Sequence, residues 1–190
     1  MHADDTPAPP IVLADLVALT RKGWALPVLA ALGAGVKPRL YGLARALDGA
    51  SRAAVLDGVE HLVTLGLAVR NTGHGHPLRP DLYLSPAGKA LAPLAARLWA
   101  LAGTPELRGT IRKRWSLPLL QVLATDGPAG FSALAGRLAP VTDRALSQAL
   151  QEAVGLGLVR RDVLGDRRPP ATVYALTAKG QELGGILAAD

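Results

Sequence analysis

The sequence predicts a mainly helical α+β fold with small β-hairpins, present twice in one chain. The first observation is an internal repeat, because residues 21–32 (RKGWALPVLAAL) recur 91 positions later as residues 112–123 (RKRWSLPLLQVL). The second is that apolar residues recur at helical spacing through most of each copy. The third is that each copy closes with two β-rich runs around a turn, followed by a further helical segment. A period this long, occurring twice, is typical of a duplicated domain.

The second copy begins with three predicted helices. Residues 115–124 carry leucines on one helical face, with Ser116 as the expected N-cap, and the segment DGPAG ends this helix. Residues 131–138 form a short second helix. Thr142 is then expected to cap a third helix, which stops at Gly157 because glycine accepts the left-handed conformation of a helix C-terminus.

A hairpin and a last helix complete each copy. In the second copy the runs LVRRDVL and TVYALT flank the turn GDRRPPA, and Thr177 is expected to cap the helix that follows. The first copy has the same order, with helices at 24–32, 40–47 and 51–65, a hairpin at 68–84 and a long helix at 86–102. Three helices, a hairpin and a helix are the elements of a winged helix-turn-helix domain.

These elements define three predicted segments of the chain. Residues 1–10 (MHADDTPAPP) are predicted to be a flexible N-terminal segment, 11–103 a first winged-helix domain, and 104–190 a second one. A further amphipathic segment precedes each copy, IVLADLVALT before the first and PELRGTI before the second. The long helix at 86–102 is expected to join the domains, with the joint at TPEL.

Composition narrows the classes of function. The chain has 21 Lys plus Arg against 15 Asp plus Glu, a net charge of +6, and this excess permits nucleic-acid binding without requiring it. The absence of cysteine excludes disulfides, thiolate zinc sites and cysteine nucleophiles. The apolar stretches are too short to span a bilayer, and the acidic, proline-rich N-terminus is not a secretory signal. We therefore predict a cytoplasmic protein.

The second copy resembles the HxlR family of bacterial winged-helix transcriptional regulators, which are relatives of the MarR group. The resemblance lies in Arg114, Trp115 and Leu117, in the stretch VTDRALSQALQEAVGLGLV, and in the hairpin exit VYALTAKGQEL. The first copy matches less completely, through Lys22, Trp24 and the final-helix pattern LAPLAARLWALA. Since family members generally act as homodimers with one winged domain per subunit, the resemblance implies a dimer fused into one polypeptide, a monomer that acts as a pseudo-dimer. Further dimerisation stays open.

DNA contacts are predicted mainly in the second copy. A recognition helix presents polar side chains to base edges, while the wing grips phosphates. Ala145, Ala149 and Val154 are expected on the apolar side of the third helix. The predicted contacts on its polar side are Thr142, Arg144, Ser147, Gln148 and Gln151, and those of the hairpin are Arg160, Arg161, Arg167 and Arg168.

The first copy offers a poorer DNA-binding surface. Arg52 is the only cation of its third helix, SRAAVLDGVEHL. Arg52 is also the one residue of this copy that is predicted to contact DNA. Asp57 and Glu60 stand where the second copy has Gln148 and Gln151, and Gly58 is expected to weaken the helix. We interpret the first domain as degenerate, so that the fused chain would select an asymmetric double-stranded DNA site.

Two other classes of function stay open from the sequence. One is a repurposed winged-helix protein that binds a small molecule between the domains without touching DNA, using aromatic residues at Trp24, Tyr41, Trp99 and Trp115. The other is an adaptor that binds a protein. No common catalytic or phosphate-loop motif is present, so no enzymatic activity, cofactor or metal is predicted, and His74 and His76 are interpreted as part of a soluble wing.

Overall fold

The computed structural model describes residues 11–71, 82–165 and 171–188. By their contacts they form two compact units, unit 1 from Lys22–Ala100 with Ile11, and unit 2 from Val12–Arg21 with Leu101–Ala189. The predicted flexible segment, residues 1–10, lies outside the described residues. The division differs from the predicted boundaries at two segments, because residues 12–21 and 101–103 group with unit 2 and not with residues 22–100.

Helices dominate both units. Unit 1 contains α2 (Ala25–Gly33), α3 (Leu40–Ala46), α4 (Arg52–Thr64), β1 (Ala68–Arg70), β2 (Leu82–Leu84) and most of α5 (Pro86–Leu101). Unit 2 contains α1 (Leu13–Leu19), α6 (Pro105–Ile111), α7 (Ser116–Thr125), β3 (Ala129–Gly130), α8 (Phe131–Arg137), α9 (Asp143–Gly155), β4 (Val159–Leu164), β5 (Ala171–Leu176) and α10 (Ala178–Ala188). The predicted α+β class and the winged-helix order of elements are confirmed. No helix in the described ranges combines the length and the apolar character needed to cross a membrane.

In unit 1, α2 and α4 pack together and the hairpin closes beside them. β1 and β2 are antiparallel, with Ala68 opposite Leu84. The predicted start of α4 is confirmed, because the Ser51 hydroxyl accepts a hydrogen bond from the backbone N–H of Ala54 at 3.1 Å. α4 therefore begins one residue after a capping serine, and it packs on α2.

In unit 2, a third strand joins the hairpin. β4 and β5 are antiparallel, and β3 pairs with the other edge of β5, so the strand order is β3-β5-β4. The segment DGPAG was predicted only to end a helix, whereas its last two residues also form β3. Thr142 caps α9 as predicted, with its hydroxyl 3.3 Å from the N–H of Ala145, and Gly157 follows α9 with a φ of +67°.

The predicted cap of α7 is wrong. Trp115 occupies the N-cap position without a side-chain hydrogen bond, and Ser116 is the first residue of the helix. Ser116 is only 4% exposed, and its hydroxyl makes no hydrogen bond to the described residues. The helix therefore starts by burying the Trp115 ring, which lies under the Arg114 guanidinium at 4.7 Å, and not by a serine cap.

Helix α1 belongs to unit 2 although it precedes unit 1 in the chain. Leu16 and Leu19 are fully buried, and α1 packs on α7. The buried Thr20 hydroxyl lies 2.8 Å from the carbonyl oxygens of both Leu16 and Arg114. This contact joins positions 94 residues apart, and it satisfies a backbone acceptor just before α7 begins.

The last helix of each unit starts against its own hairpin at a glycine. A Cβ on Gly180 would lie 2.0 Å from the carbonyl oxygen of Leu158, and one on Gly88 would lie 1.9 Å from that of Leu67. Thr177 completes the junction in unit 2, because its N–H donates to the Leu158 oxygen at 3.0 Å and its hydroxyl accepts from the Gly180 N–H at 3.1 Å. Only glycine fits where helix and strand approach this closely.

Candidate nucleic-acid interface

The surface of interest is the outer face of α9 with the adjoining hairpin. Leu146, Ala149, Leu150 and Ala153 face the core of unit 2. Val154 was predicted on this apolar side, but it is 38% exposed. The reason is geometric, because a residue seven positions after Ser147 returns to the same face of a helix.

Between α9 and the hairpin lies an open groove of about 490 Å³. Ser147 and Gln151 line it from the helix, while Arg161 and Tyr174 line it from β4 and β5. Arg161 and Tyr174 are directly opposite each other in the strand register. Three of the predicted DNA contacts therefore share one groove. Tyr174 was not among those predictions, since the sequence does not reveal that it lies beside Arg161.

Gln148 is exposed on α9 but does not line this groove. Its amide nitrogen donates to Glu152 Oε1 at 3.1 Å. The Lys113 ammonium, which precedes α7, binds the same carboxylate oxygen. Neither Lys113 nor Glu152 was predicted as a functional residue. The spacing of four residues between Gln148 and Glu152 could have indicated their contact.

The remaining predicted DNA contacts are arginines, and they differ in whether an acidic side chain lies against them. Arg144 is exposed in the first turn of α9, and the described residues place no acid against it. Arg160 lies 3.4 Å from Asp162 in an exposed ion pair. Arg167 and Arg168 lie outside the described residues.

Arg137, at the end of α8, is a cation held by a carboxylate. Its guanidinium donates two hydrogen bonds to Asp126, which follows α7. The hydrogen bonds and the charge of Asp126 raise the pKa of Arg137 above its ordinary value. Arg137 is therefore less available to a phosphate than Arg144 or Arg161.

The corresponding face of unit 1 carries paired charges and an exposed leucine. Glu60 binds Arg70 of β1, and Asp57 lies 2.9 Å from Lys22. Leu56, at the position that matches Ser147, is 41% exposed. The predicted contact Arg52 is exposed at the first position of α4. Asp57 and Glu60 are thus each engaged by a cation of the same unit.

Gly58 has a packing role that the sequence did not indicate. It is buried, and a Cβ there would lie 2.9 Å from the carbonyl carbon of Trp24 and 3.2 Å from the Ala25 nitrogen. The glycine was expected only to weaken α4, whereas it permits α4 to touch the start of α2. Its match in the second copy is Ala149, which is buried in α9.

The aromatic residues predicted to bind a ligand lie in different environments. In unit 1, Tyr41 is 68% exposed on α3, and Trp24 and Trp99 are partly buried at the start of α2 and on α5. In unit 2, Trp115 is 9% exposed beneath Arg114. Unit 1 has an apolar groove of about 470 Å³ between the end of α2, β2 and α5, and Trp24, Tyr41 and Trp99 do not line it.

Metal-binding groups are sparse on the described surface. No cluster of three or more His, Asp or Glu side chains occurs within the described ranges. His74 and His76 lie outside those ranges.

The geometry of unit 2, three helices followed by a hairpin wing and a closing helix, defines a winged helix-turn-helix domain. Residues 110–189, which lie in the second unit, match the HxlR-like helix-turn-helix family. The chain is similar to the transcriptional regulator YodB from B. subtilis in its reduced form, with 28% identity over 44% of this chain and 82% of YodB, and a TM-score of 0.39. No curated protein matches the chain. The family match supports a role as a DNA-binding transcription regulator.

Proposed function

We propose that the protein is a transcription regulator whose second domain reads DNA and whose first domain is a degenerate partner. One difference between the units carries the proposal. The wing cation Arg70 is bound by Glu60, whereas the wing cation Arg161 has Gln151 beside it and no ion pair among the described residues. An arginine without an acid can neutralise a phosphate, and one already paired with an acid must first give up that partner.

The groove of unit 2 has the chemistry that DNA recognition needs. Ser147 and Gln151 offer both donors and acceptors, which suit base edges in the major groove. Arg161 and the Tyr174 hydroxyl suit phosphate oxygens, which hold the domain in register on the duplex. Arg144 adds an exposed cation in the first turn of α9, where the helix N-terminus also favours an anion.

We also infer that the two units arose by duplication and act as a fused pseudo-dimer. At the predicted offset of 91 residues, the start of α4 at Arg52 corresponds to the start of α9 at Asp143. The first-turn glycines of α5 and α10, Gly88 and Gly180, also correspond, with one residue gained in the loop. Because the two outer faces differ, the expected target is a site without two-fold symmetry.

Fluorescence anisotropy across a salt series tests the proposed function. The probes are a duplex from the DNA upstream of the gene and a scrambled duplex of equal length. We expect tighter binding to the upstream duplex and a steep loss of affinity as salt rises, because phosphate contacts release counterions. Absence of binding to either duplex at about 50 mM salt, where phosphate attraction is strong, would contradict the proposal.

Two first-turn arginines provide a matched comparison in this assay. Arg144→Ala on α9 is expected to weaken binding to the upstream duplex about tenfold. Arg52→Ala removes the same charge from the first turn of α4 and is expected to change the affinity by less than about twofold. Equal losses would indicate that both units contact DNA.

One observation favours a second candidate function, binding of a small apolar anion in unit 1. The 470 Å³ groove is lined mostly by aliphatic groups such as Leu32, Val36 and Leu84, with Lys89 as its charged residue. Anilinonaphthalene sulfonate combines an apolar body with an anion and is the probe. Ala96 lines the groove, so Ala96→Trp should abolish the gain in fluorescence of the probe. Ala100 is exposed and does not line the groove, so Ala100→Trp should leave that gain unchanged. Equal fluorescence in both variants would contradict this candidate.

A further inference from the structure

Two residues of α9, Gln148 and Glu152, form a three-residue cluster with Lys113, which precedes α7. Gln148 and Lys113 converge on a single oxygen of Glu152. The Glu152 side chain is only 22% exposed, and its other carboxylate oxygen is buried without a partner among the described residues. The carboxylate is therefore confined by its surroundings, while Gln148 itself is exposed.

The chemistry of the carboxylate decides which way the Gln148 amide points. An ionised carboxylate only accepts hydrogen bonds, so the end of the amide that faces Glu152 has to be the nitrogen. The amide nitrogen carries two hydrogens, and one of them is used in this bond. The carbonyl oxygen and the second N–H stay available on the exposed side. That pair of groups matches adenine, which offers an N6 donor and an N7 acceptor in the major groove.

The same position in unit 1 lacks this arrangement. There Asp57 replaces Gln148, and Lys22 pairs with it directly. His61 stands where the second copy has Glu152. A cleft of about 300 Å³ lies beside the cluster in unit 2, lined by Ser116, Ala149 and Glu152 among others. In unit 1, Gly58 matches Ala149 and lies against the Trp24 backbone.

We propose that Glu152 is a positioning residue that holds the Gln148 amide in one orientation, so that Gln148 selects adenine at the base pair it meets. The inference rests on the proposed function, because it requires α9 to enter the major groove. Without Glu152, the Gln148 amide could turn over and present its nitrogen to the acceptors of guanine, O6 and N7. Glu152 would then act on specificity and not only on affinity.

The test measures base preference. Wild-type protein selects duplexes from a randomised library, and anisotropy then gives the affinity for every single-base substitution of the selected site. Gln148→Ala locates the base pair that Gln148 meets. At that position the wild-type protein is expected to favour adenine over guanine by about tenfold. Glu152→Gln is expected to reduce this preference to about threefold or less, because a glutamine can accept from or donate to Gln148.

Controls separate this effect from charge and from folding. Glu152→Gln also removes one negative charge, so Glu182→Gln, an exposed site on α10, serves as the charge-matched variant and should keep the adenine preference. Lys113→Met leaves the Gln148 to Glu152 hydrogen bond in place and should also keep it. If Glu152→Gln does not fold, Glu152→Ala replaces it in the same measurement.

The outcomes distinguish the two proposals. If the wild-type protein shows no sequence preference, the proposed function fails. If it has a preference that Gln148→Ala alters and Glu152→Gln leaves unchanged, the function stands and the role of Glu152 is overturned. In the Gln148→Ala background, Glu152→Gln should have no further effect on base preference, and any further effect would also overturn the inference.

Discussion

At the scale of single residues, one change of functional group separates the two outer faces. Gln151 and Glu60 occupy matching positions on α9 and α4, and each lies near an arginine of the adjoining hairpin. The carboxylate of Glu60 binds Arg70, whereas the neutral amide of Gln151 leaves the charge of Arg161 uncompensated among the described residues. An exposed ion pair adds little stability, so its main consequence here is to change which cations can bind a phosphate.

Gln151→Glu should reproduce the unit 1 pairing in unit 2. We expect the new carboxylate to bind Arg161 and to face the DNA backbone, lowering the affinity for the selected duplex about tenfold and the salt slope by about one. The control is Gln151→Ala, which removes the amide without adding a charge and should leave the salt slope unchanged. A salt slope that stays constant in Gln151→Glu would show that Arg161 does not bind phosphate.

At the scale of elements, the junction between hairpin and last helix depends on a glycine. Gly180 lies in the first turn of α10, where the Leu158 carbonyl oxygen leaves no room for a Cβ, whereas Gly185 lies in the same helix with nothing within 4 Å of its Cβ position. The two glycines therefore have opposite expected responses to the same substitution.

Gly180→Ala should lower the free energy of unfolding by about 3 kcal/mol, because the methyl group collides with backbone that has no space to relax. Gly185→Ala should raise it by about 0.5–1 kcal/mol, because alanine is the better helix former at an exposed position. Urea denaturation followed by circular dichroism measures both changes. Similar midpoints for the two variants would contradict the close approach of α10 to the hairpin.

Most helix starts could be predicted from the sequence, and the exceptions have physical causes. Thr142 and Thr177 were predicted as caps because a capping hydroxyl acts locally, within three residues along the chain. Ser116 was not a cap, because burial of the neighbouring Trp115 ring decided where α7 begins. Local sequence patterns do not predict such tertiary packing.

The candidate site was predicted in part for the same reason. The polar face of α9 follows from helical periodicity, so Ser147 and Gln151 could be placed on it. The ion pair from Lys113 to Glu152 joins residues 39 positions apart, and the fold alone brings them together. The assignment of α1 to unit 2 likewise depends on its packing against α7, far along the chain.

At the scale of the whole molecule, two units with the same order of helices and hairpin present unlike outer faces. Unit 2 offers Arg144, Arg161 and a polar groove, and unit 1 offers paired charges beside the exposed Leu56. A symmetric dimer has to use the same face twice, whereas a fused chain can keep one face for DNA and change the other. Selection from a randomised library should accordingly yield a motif without two-fold symmetry, and a palindromic motif would argue for equal reading by both units.

The most direct test of the central claim compares the two wing arginines on one duplex. Arg161→Ala and Arg70→Ala each remove one guanidinium from matching positions, and anisotropy across a salt series gives the affinity and the salt slope of each. We predict that Arg161→Ala lowers the affinity and reduces the slope by about one, while Arg70→Ala changes neither. Equal losses in the two variants, or a larger loss for Arg70→Ala, would contradict the claim that the second unit reads the DNA.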